Sequence, residues 1–101
     1  MKQVINGKFY NTEAAQEICA YQYGYPKDFD YVLEELYRKK NEEFFLYVCG
    51  GAGSCYQVKT GCNEYSGSEQ LIPIDIEKAK NFIEKNGSAD DYINLFGMPE
   101  E

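Results

Sequence analysis

Phe44-Phe45-Leu46-Tyr47-Val48 is an unbroken apolar run, dominated by aromatic and β-branched types that suit a pleated surface. The short polar pair Asn41-Glu42 precedes it, and residues 36–40 lie on the far side of that pair. Together these segments read as a β-hairpin whose first arm is residues 36–40. Taken alone, residues 30–40 are ambiguous. Phe29, Val32, Leu33, Leu36 and Tyr37 fit a helical stripe, whereas Tyr31, Leu33 and Tyr37 fit one face of a strand. The run that follows favours the hairpin.

The other elements are arranged around that hairpin. Val4-Ile5 suggests a short strand before a turn at Asn6-Gly7. Asn11 or Thr12 has the chemistry of a helix N-cap, with Glu13 in the first turn. Ala15, Ile18 and Cys19 would share one helical face, as would Ala14, Ile18 and Tyr21, so an N-terminal helix is expected up to Gly24 and Pro26. After the turn Gly50-Gly51-Ala52-Gly53-Ser54, residues 56–59 read as a short strand and residues 63–68 as a polar loop. Leu71-Ile72-Pro73-Ile74 reads as an edge strand, because Pro73 has no N–H for a ladder. Asp75 caps a helix that would bury Ile76, Ala79, Phe82 and Ile83, closed by Asn86-Gly87. Ser88 opens a last short helix with Tyr92, Ile93 and Phe96 inward and a stop at Gly97. The expected fold class is α+β in one domain over residues 1–101. It has a small antiparallel sheet with a central hairpin, packed by an N-terminal helix and one or two C-terminal helices, and residues 98–101 form a tail.

Charge and missing residue types narrow the function. Seventeen acids against ten bases give a net charge of −7. Affinity for nucleic acid comes mainly from Lys and Arg neutralising phosphates, so direct nucleic-acid binding is not expected, nor is binding to anionic membranes. The chain has no histidine, which removes Cys-His and Ser-His pairs. Adjacent carboxylates such as Glu34-Glu35, Glu42-Glu43 and Asp90-Asp91 would point to opposite faces of a strand and make poor acid/base dyads. A binder is therefore expected rather than an enzyme. The N-terminal residues lack the long apolar stretch of a signal peptide, and the expected location is cytoplasmic, in the cytosol.

Three features could carry binding. The glycine cluster at residues 50–54 has no Gly-Lys-Ser/Thr ending, so a sharp turn is preferred over a phosphate loop. Cys49, Cys55 and Cys62 lie within fourteen residues, as C-x5-C-x6-C. Three thiolates on one loop could hold zinc, with Cys19, a carboxylate or water as the fourth ligand; the alternative is small buried apolar side chains. Tyr23 and Tyr25, with Tyr21, alternate just before Pro26 and suit an exposed aromatic patch. Asp28, Asp30, Glu34 and Glu35 add negative charge beside them, with more at Asp90, Asp91, Glu100 and Glu101.

Tyr10-Asn11-Thr12-Glu13-Ala14-Ala15 resembles a Tyr-Asp-Thr-x-Thr-Ala opening. Leu36-Tyr37-Arg38-Lys39-Lys40-Asn41, followed by Phe45-Leu46-Tyr47 and Gly50-Gly51-Ala52, resembles a Leu-Tyr-Arg-x-Lys-Asn-Gly hairpin leading into Gly-Gly-Ala. Ile72-Pro73-Ile74 resembles an Ile-Pro-Leu-Ser helix start. In this order, over about residues 8–97, they resemble a family of small proteins on mobile elements and prophages of Gram-positive bacteria. Some proteins of that kind are anti-CRISPR proteins that inhibit type II effector nucleases. The resemblance implies a stoichiometric inhibitor whose partner is a type II CRISPR effector nuclease. The alternative is a zinc-stabilised structural or regulatory module of a mobile element with another host partner. The family pattern has a Glu at position 49 and a basic residue at 55. Cys49 and Cys55 replace both here, beside Cys62, which adds to the zinc expectation. The pattern carries no catalytic residue across.

Overall fold

A computed structural model describes residues 1–54, 56–61 and 64–98. The elements are β1 (Lys2–Ile5), β2 (Lys8–Asn11), β3 (Gln16–Tyr23), β4 (Val32–Arg38), β5 (Phe44–Gly50), β6 (Val58–Gly61), β7 (Glu64–Ser66), β8 (Ser68–Ile74), α1 (Ile76–Asn86) and α2 (Ala89–Phe96). The central sheet is antiparallel with order β3-β4-β5-β8, and β1-β2 and β6-β7 are separate hairpins. The fold is α+β around a small antiparallel sheet.

The β4–β5 hairpin is the heart of the sheet. Its register pairs Leu36 with Leu46 and Arg38 with Phe44. The first arm is longer than its sequence signal, running from Val32, and the turn is wider. Lys39 donates its N–H to the Glu43 carbonyl (2.8 Å) and accepts from the Glu42 N–H (3.0 Å), with Glu42 at φ 70°. That is a three-residue loop closed by a left-handed residue, a common hairpin solution. The Asn6-Gly7 turn joins β1 to β2 with positive φ at both residues (52° and 79°), as a two-residue hairpin of this twist requires.

The expected N-terminal helix is a strand. Asn11 does cap: its side chain accepts from the Glu13 N–H (3.0 Å), and its carbonyl accepts from Ala14 and Ala15. One turn forms, and the chain then enters β3. Strict alternation in β3 is broken by a bulge between Glu17 and Cys19, which turns two consecutive apolar residues, Ile18 and Cys19, toward the helices. Apolar neighbours in sequence count against a period of two and toward a period of 3.6, which is why helical spacing fitted this segment. The expected polar loop at 63–68 is replaced at its described positions by β7 and the start of β8, while Asn63 lies outside the described residues. Pro73 does sit on an edge strand, β8.

Both sheet faces are covered. On one, Leu36 and Phe44 pack with Ala79 and Ile83 of α1, joined by Ile18, Cys19, Leu46, Phe82, Tyr92 and Phe96. On the other, Tyr10 of β2 closes over Phe45 and Leu71, with the Tyr10 ring edge-on to Phe45 at 5.3 Å and Tyr37 stacked on it at 5.4 Å. The helix signals hold. The Asp75 side chain accepts from the Lys78 N–H (2.8 Å), Ser88 and Asp91 form a reciprocal capping box, and Gly97 ends α2 at φ 82°. Ile76 is a correction: it is half exposed, on the rim of the helix layer, rather than buried.

Because the sheet is buried on both sides, truncation on either side should cost a large share of the stability of a chain this size. Leu36→Ala and Phe45→Ala are each expected to lower unfolding free energy by about 3 kcal/mol or more, measured by urea denaturation. A small loss for Phe45→Ala would mean that the β1-β2 hairpin does not close that face.

Candidate functional site

Strand alternation divides the acidic residues between the two faces of the sheet. Glu34 pairs with Tyr21 and with Val48, on the helix-bearing face, whereas Glu35 pairs with Ala20 and Tyr47, on the hairpin-bearing face. The sequence-level grouping of Glu34 with Glu35 therefore separates into two regions at the β3 side of the molecule.

The first region is aromatic and acidic. Tyr21 and Tyr23 lie on the helix-bearing face of β3, beyond the ground that the helices cover, and Tyr23 is about half exposed. Tyr25 and Phe29 follow in the β3–β4 loop and are 75% and 73% exposed, which is high for side chains of this size. Asp28 folds this loop. Its carboxylate accepts from the Tyr25 N–H (2.9 Å), and its own N–H donates to the Tyr25 carbonyl (2.8 Å). Asp30 is exposed beside it, while Glu34 is half-buried and accepts the Tyr56 hydroxyl. Tyr23, Tyr25, Asp28, Asp30 and Glu34 thus share one end of the sheet, and Glu35 does not join them.

The glycine cluster supports this end. The N–H of Gly51 donates to the Tyr31 carbonyl (2.9 Å), that of Gly53 to the Phe29 carbonyl (2.7 Å), and that of Ser54 to the Gly51 carbonyl (3.1 Å). A Cβ at Gly51 or Gly53 would collide with the backbone or ring of Phe29. These glycines let two loops approach, and the three amides that would cradle a phosphate are already bonded to carbonyls.

The second region was not legible from sequence spacing. On the hairpin-bearing face, Glu35, Tyr37, Tyr47 and Glu69 line a groove of about 390 Å³ together with Met1 and Thr12. Tyr47 donates to Glu69 at 2.6 Å. Burial, and then a hydrogen bond shared with Glu17, holds the Glu35 carboxyl above its ordinary range. Burial and the neighbouring Glu35 push the Tyr37 hydroxyl up to about 12. Only the strand register, which is a long-range property, brings these residues from β3, β4, β5 and β8 together.

The cysteines separate. Cys19 pairs with Leu36 and lies under the helices, while Cys49 pairs with Leu33 on the other face. Burial, then Asp91 and Glu17, raises the Cys19 thiol to about 11, and burial likewise raises Cys49. Cys19 and Cys49 thus sit on opposite sides of the sheet. Cys55 and Cys62 lie outside the described residues, among which no metal-holding group of three Cys, Asp, Glu or His side chains occurs. Cys19 and Cys49 therefore cannot share one metal ion in this arrangement. No helix among the described residues is long and apolar enough to cross a membrane.

Comparison with protein-family models, curated proteins and solved structures finds no match to this chain.

The Glu17–Glu35 contact has a pH signature. A carboxyl whose folded value is raised binds its proton more tightly in the native state than in the unfolded chain. Its contribution to stability is therefore fullest below the ordinary carboxyl value and is lost as pH rises through the raised one. Glu35→Gln is expected to raise Tm near pH 7 and to leave it unchanged below about pH 4. Thermal melts of both proteins across that range check this, and a Tm gain that is the same at every pH would contradict it.

Proposed function

We propose that this chain is a stoichiometric binding protein that inhibits a type II CRISPR effector nuclease. One observation carries the binding part. Tyr21, Tyr23, Tyr25 and Phe29 stand exposed at one end of the sheet, continuous with Asp28, Asp30 and Glu34. Tyrosine supplies contact area with a polar tip at little entropic cost, and it is enriched among residues that dominate interfaces. The carboxylates select a partner with a basic face and speed the encounter. The resemblance of the Tyr10-Asn11-Thr12, Leu36-Tyr37-Arg38 and Ile72-Pro73-Ile74 segments to anti-CRISPR-type proteins supplies the partner class. Such nucleases hold guide and target in positively charged channels, which an acidic surface can occupy or flank to prevent loading or cleavage of target DNA.

The reading is of a binder and not of a catalyst. Glu35, beside Glu17, faces a shallow groove with no histidine to act as its partner, and burial pushes the neighbouring Cys49 thiol up, away from the thiolate a nucleophile needs.

Target cleavage by guide-loaded nuclease is expected to fall as this protein is added and to reach its floor near one equivalent. The double variant Tyr23→Ala/Tyr25→Ala is expected to need at least about tenfold more protein for the same effect. Undiminished cleavage across a panel of type II nucleases would reject the proposal.

A further inference from the structure

The two edges of the central sheet differ. β8 carries Pro73, which blunts an edge by removing a donor. β3 has neither Pro nor Lys, and most of its residues are exposed. Its bulge ends at Cys19, so residues 19–23 run in unbroken register with residues 32–36 of β4. Among the described residues, no backbone–backbone hydrogen bond reaches Gln16–Tyr23 except from β4. Alternate residues of an edge strand turn their N–H and C=O groups outward, and such a row accepts an added strand.

Charge says what kind of strand. Glu17 lies on β3, Glu34 and Glu35 stand opposite Tyr21 and Ala20, and Asp28 and Asp30 occupy the adjoining loop. Lys27 is the only cation from residue 9 to residue 37. Ala20 is exposed and short, so it leaves an opening in the row that leads to Glu35, whose other carboxylate neighbour is Glu17. A Lys or Arg on an incoming strand, opposite Ala20, would pass over that methyl group and meet both carboxylates. On the other face, the rings of Tyr21 and Tyr23 border the same edge and can accept an arginine or an aromatic side chain.

We propose that β3 is a docking edge for an extended, Lys- or Arg-bearing segment of a partner protein, which adds to the sheet as a fifth strand and places a cation opposite Ala20, against Glu17 and Glu35. A second copy of this chain would bring an equally acidic edge and is disfavoured by like charge. A nucleic acid would be repelled on the same ground. The inference rests on reading the chain as a binder and does not depend on which protein is bound.

The probe is a short capped peptide of alternating Thr and Arg, titrated into the full chain and followed by amide NMR shifts and hydrogen exchange. Binding is expected to protect amides within residues 19–23 and to weaken with added salt. The same peptide with a central Pro should bind at least about tenfold more weakly, because it cannot complete the ladder. Ala20→Lys, which alters an exposed position and no core contact, should weaken binding by a similar factor with Tm retained or raised, since the new cation meets Glu17 and Glu35 within the chain. Equal binding of the Pro peptide, shifts that avoid residues 19–23, or concentration-dependent dimerisation through β3 would each overturn the proposal. Peptide binding at β3 with undiminished nuclease cleavage retires the nuclease and keeps the edge. Nuclease inhibition without peptide binding does the reverse.

Discussion

β5 is the strand most fully covered on both faces. Phe44 and Val48 are buried on one side, Phe45 on the other, and β4 and β8 flank it. A strand buried on both faces obliges the chain to supply a layer on each side, because burial of side chains this large is what offsets the entropy of ordering so short a chain. The helices supply one layer through Ala79, Ile83 and Phe96, with the Phe96 ring 5.7 Å from that of Phe44. The β1-β2 hairpin supplies the other through Tyr10. A two-stranded hairpin is marginal alone, and this one gains its stability from the Tyr10–Phe45 contact. The order of elements follows from that need: cover, edge, central pair, edge, cover.

With helices on one face and a hairpin on the other, the parts of the sheet left for contact with another molecule are its two edges and the end remote from the helices. Pro73 blunts one edge. The remaining ground is β3 with the loop that follows it, and the exposed tyrosines and most of the nearby carboxylates are concentrated there. Net charge alone did not reveal this arrangement. The ten bases dilute the acids along the sequence, yet Lys78, Lys80 and Lys85 belong to α1 and Lys39 lies over the Tyr10 ring at 3.9 Å, so the β3 side keeps an acidic excess.

What was legible in the sequence is what short-range chemistry determines. Asn6-Gly7 and Gly97 specify a turn and a helix end through positive φ, Asp75 and Ser88 cap through their side-chain oxygens, and Gly87 closes α1 with its N–H on the Ile83 carbonyl. The Phe44-to-Val48 run marks its strand because nothing else suits five such residues. The site was legible in part. Tyr23, Tyr25, Asp28, Asp30 and Glu34 do converge, because they are near in sequence and a loop brings them to one end. Glu35 parts from Glu34 by simple alternation, a consequence that follows once residues 32–38 are known to be a strand. The groove with Glu35, Tyr37, Tyr47 and Glu69 depends on pairing between residues up to about thirty positions apart, and no local pattern encodes such pairing.

The β3 bulge links the misread element to the chemistry of that groove. In a regular strand, residues two apart share a face, so burying Cys19 under the helices would carry Glu17 to that face, opposite Arg38. The extra residue at Ile18 shifts the register, and Glu17 instead pairs with Tyr37 on the hairpin-bearing face. One inserted residue thus does two things. It gives the helix layer two adjacent apolar side chains, Ile18 and Cys19, and it moves a carboxylate to the side where Glu35 lies. The like-charge contact that results is unfavourable within the isolated chain, since burial and Glu17 together raise the Glu35 carboxyl. Contacts of that kind are relieved by a cation brought from outside, and the position that opens toward them is Ala20, on the one edge of the sheet that no proline blunts.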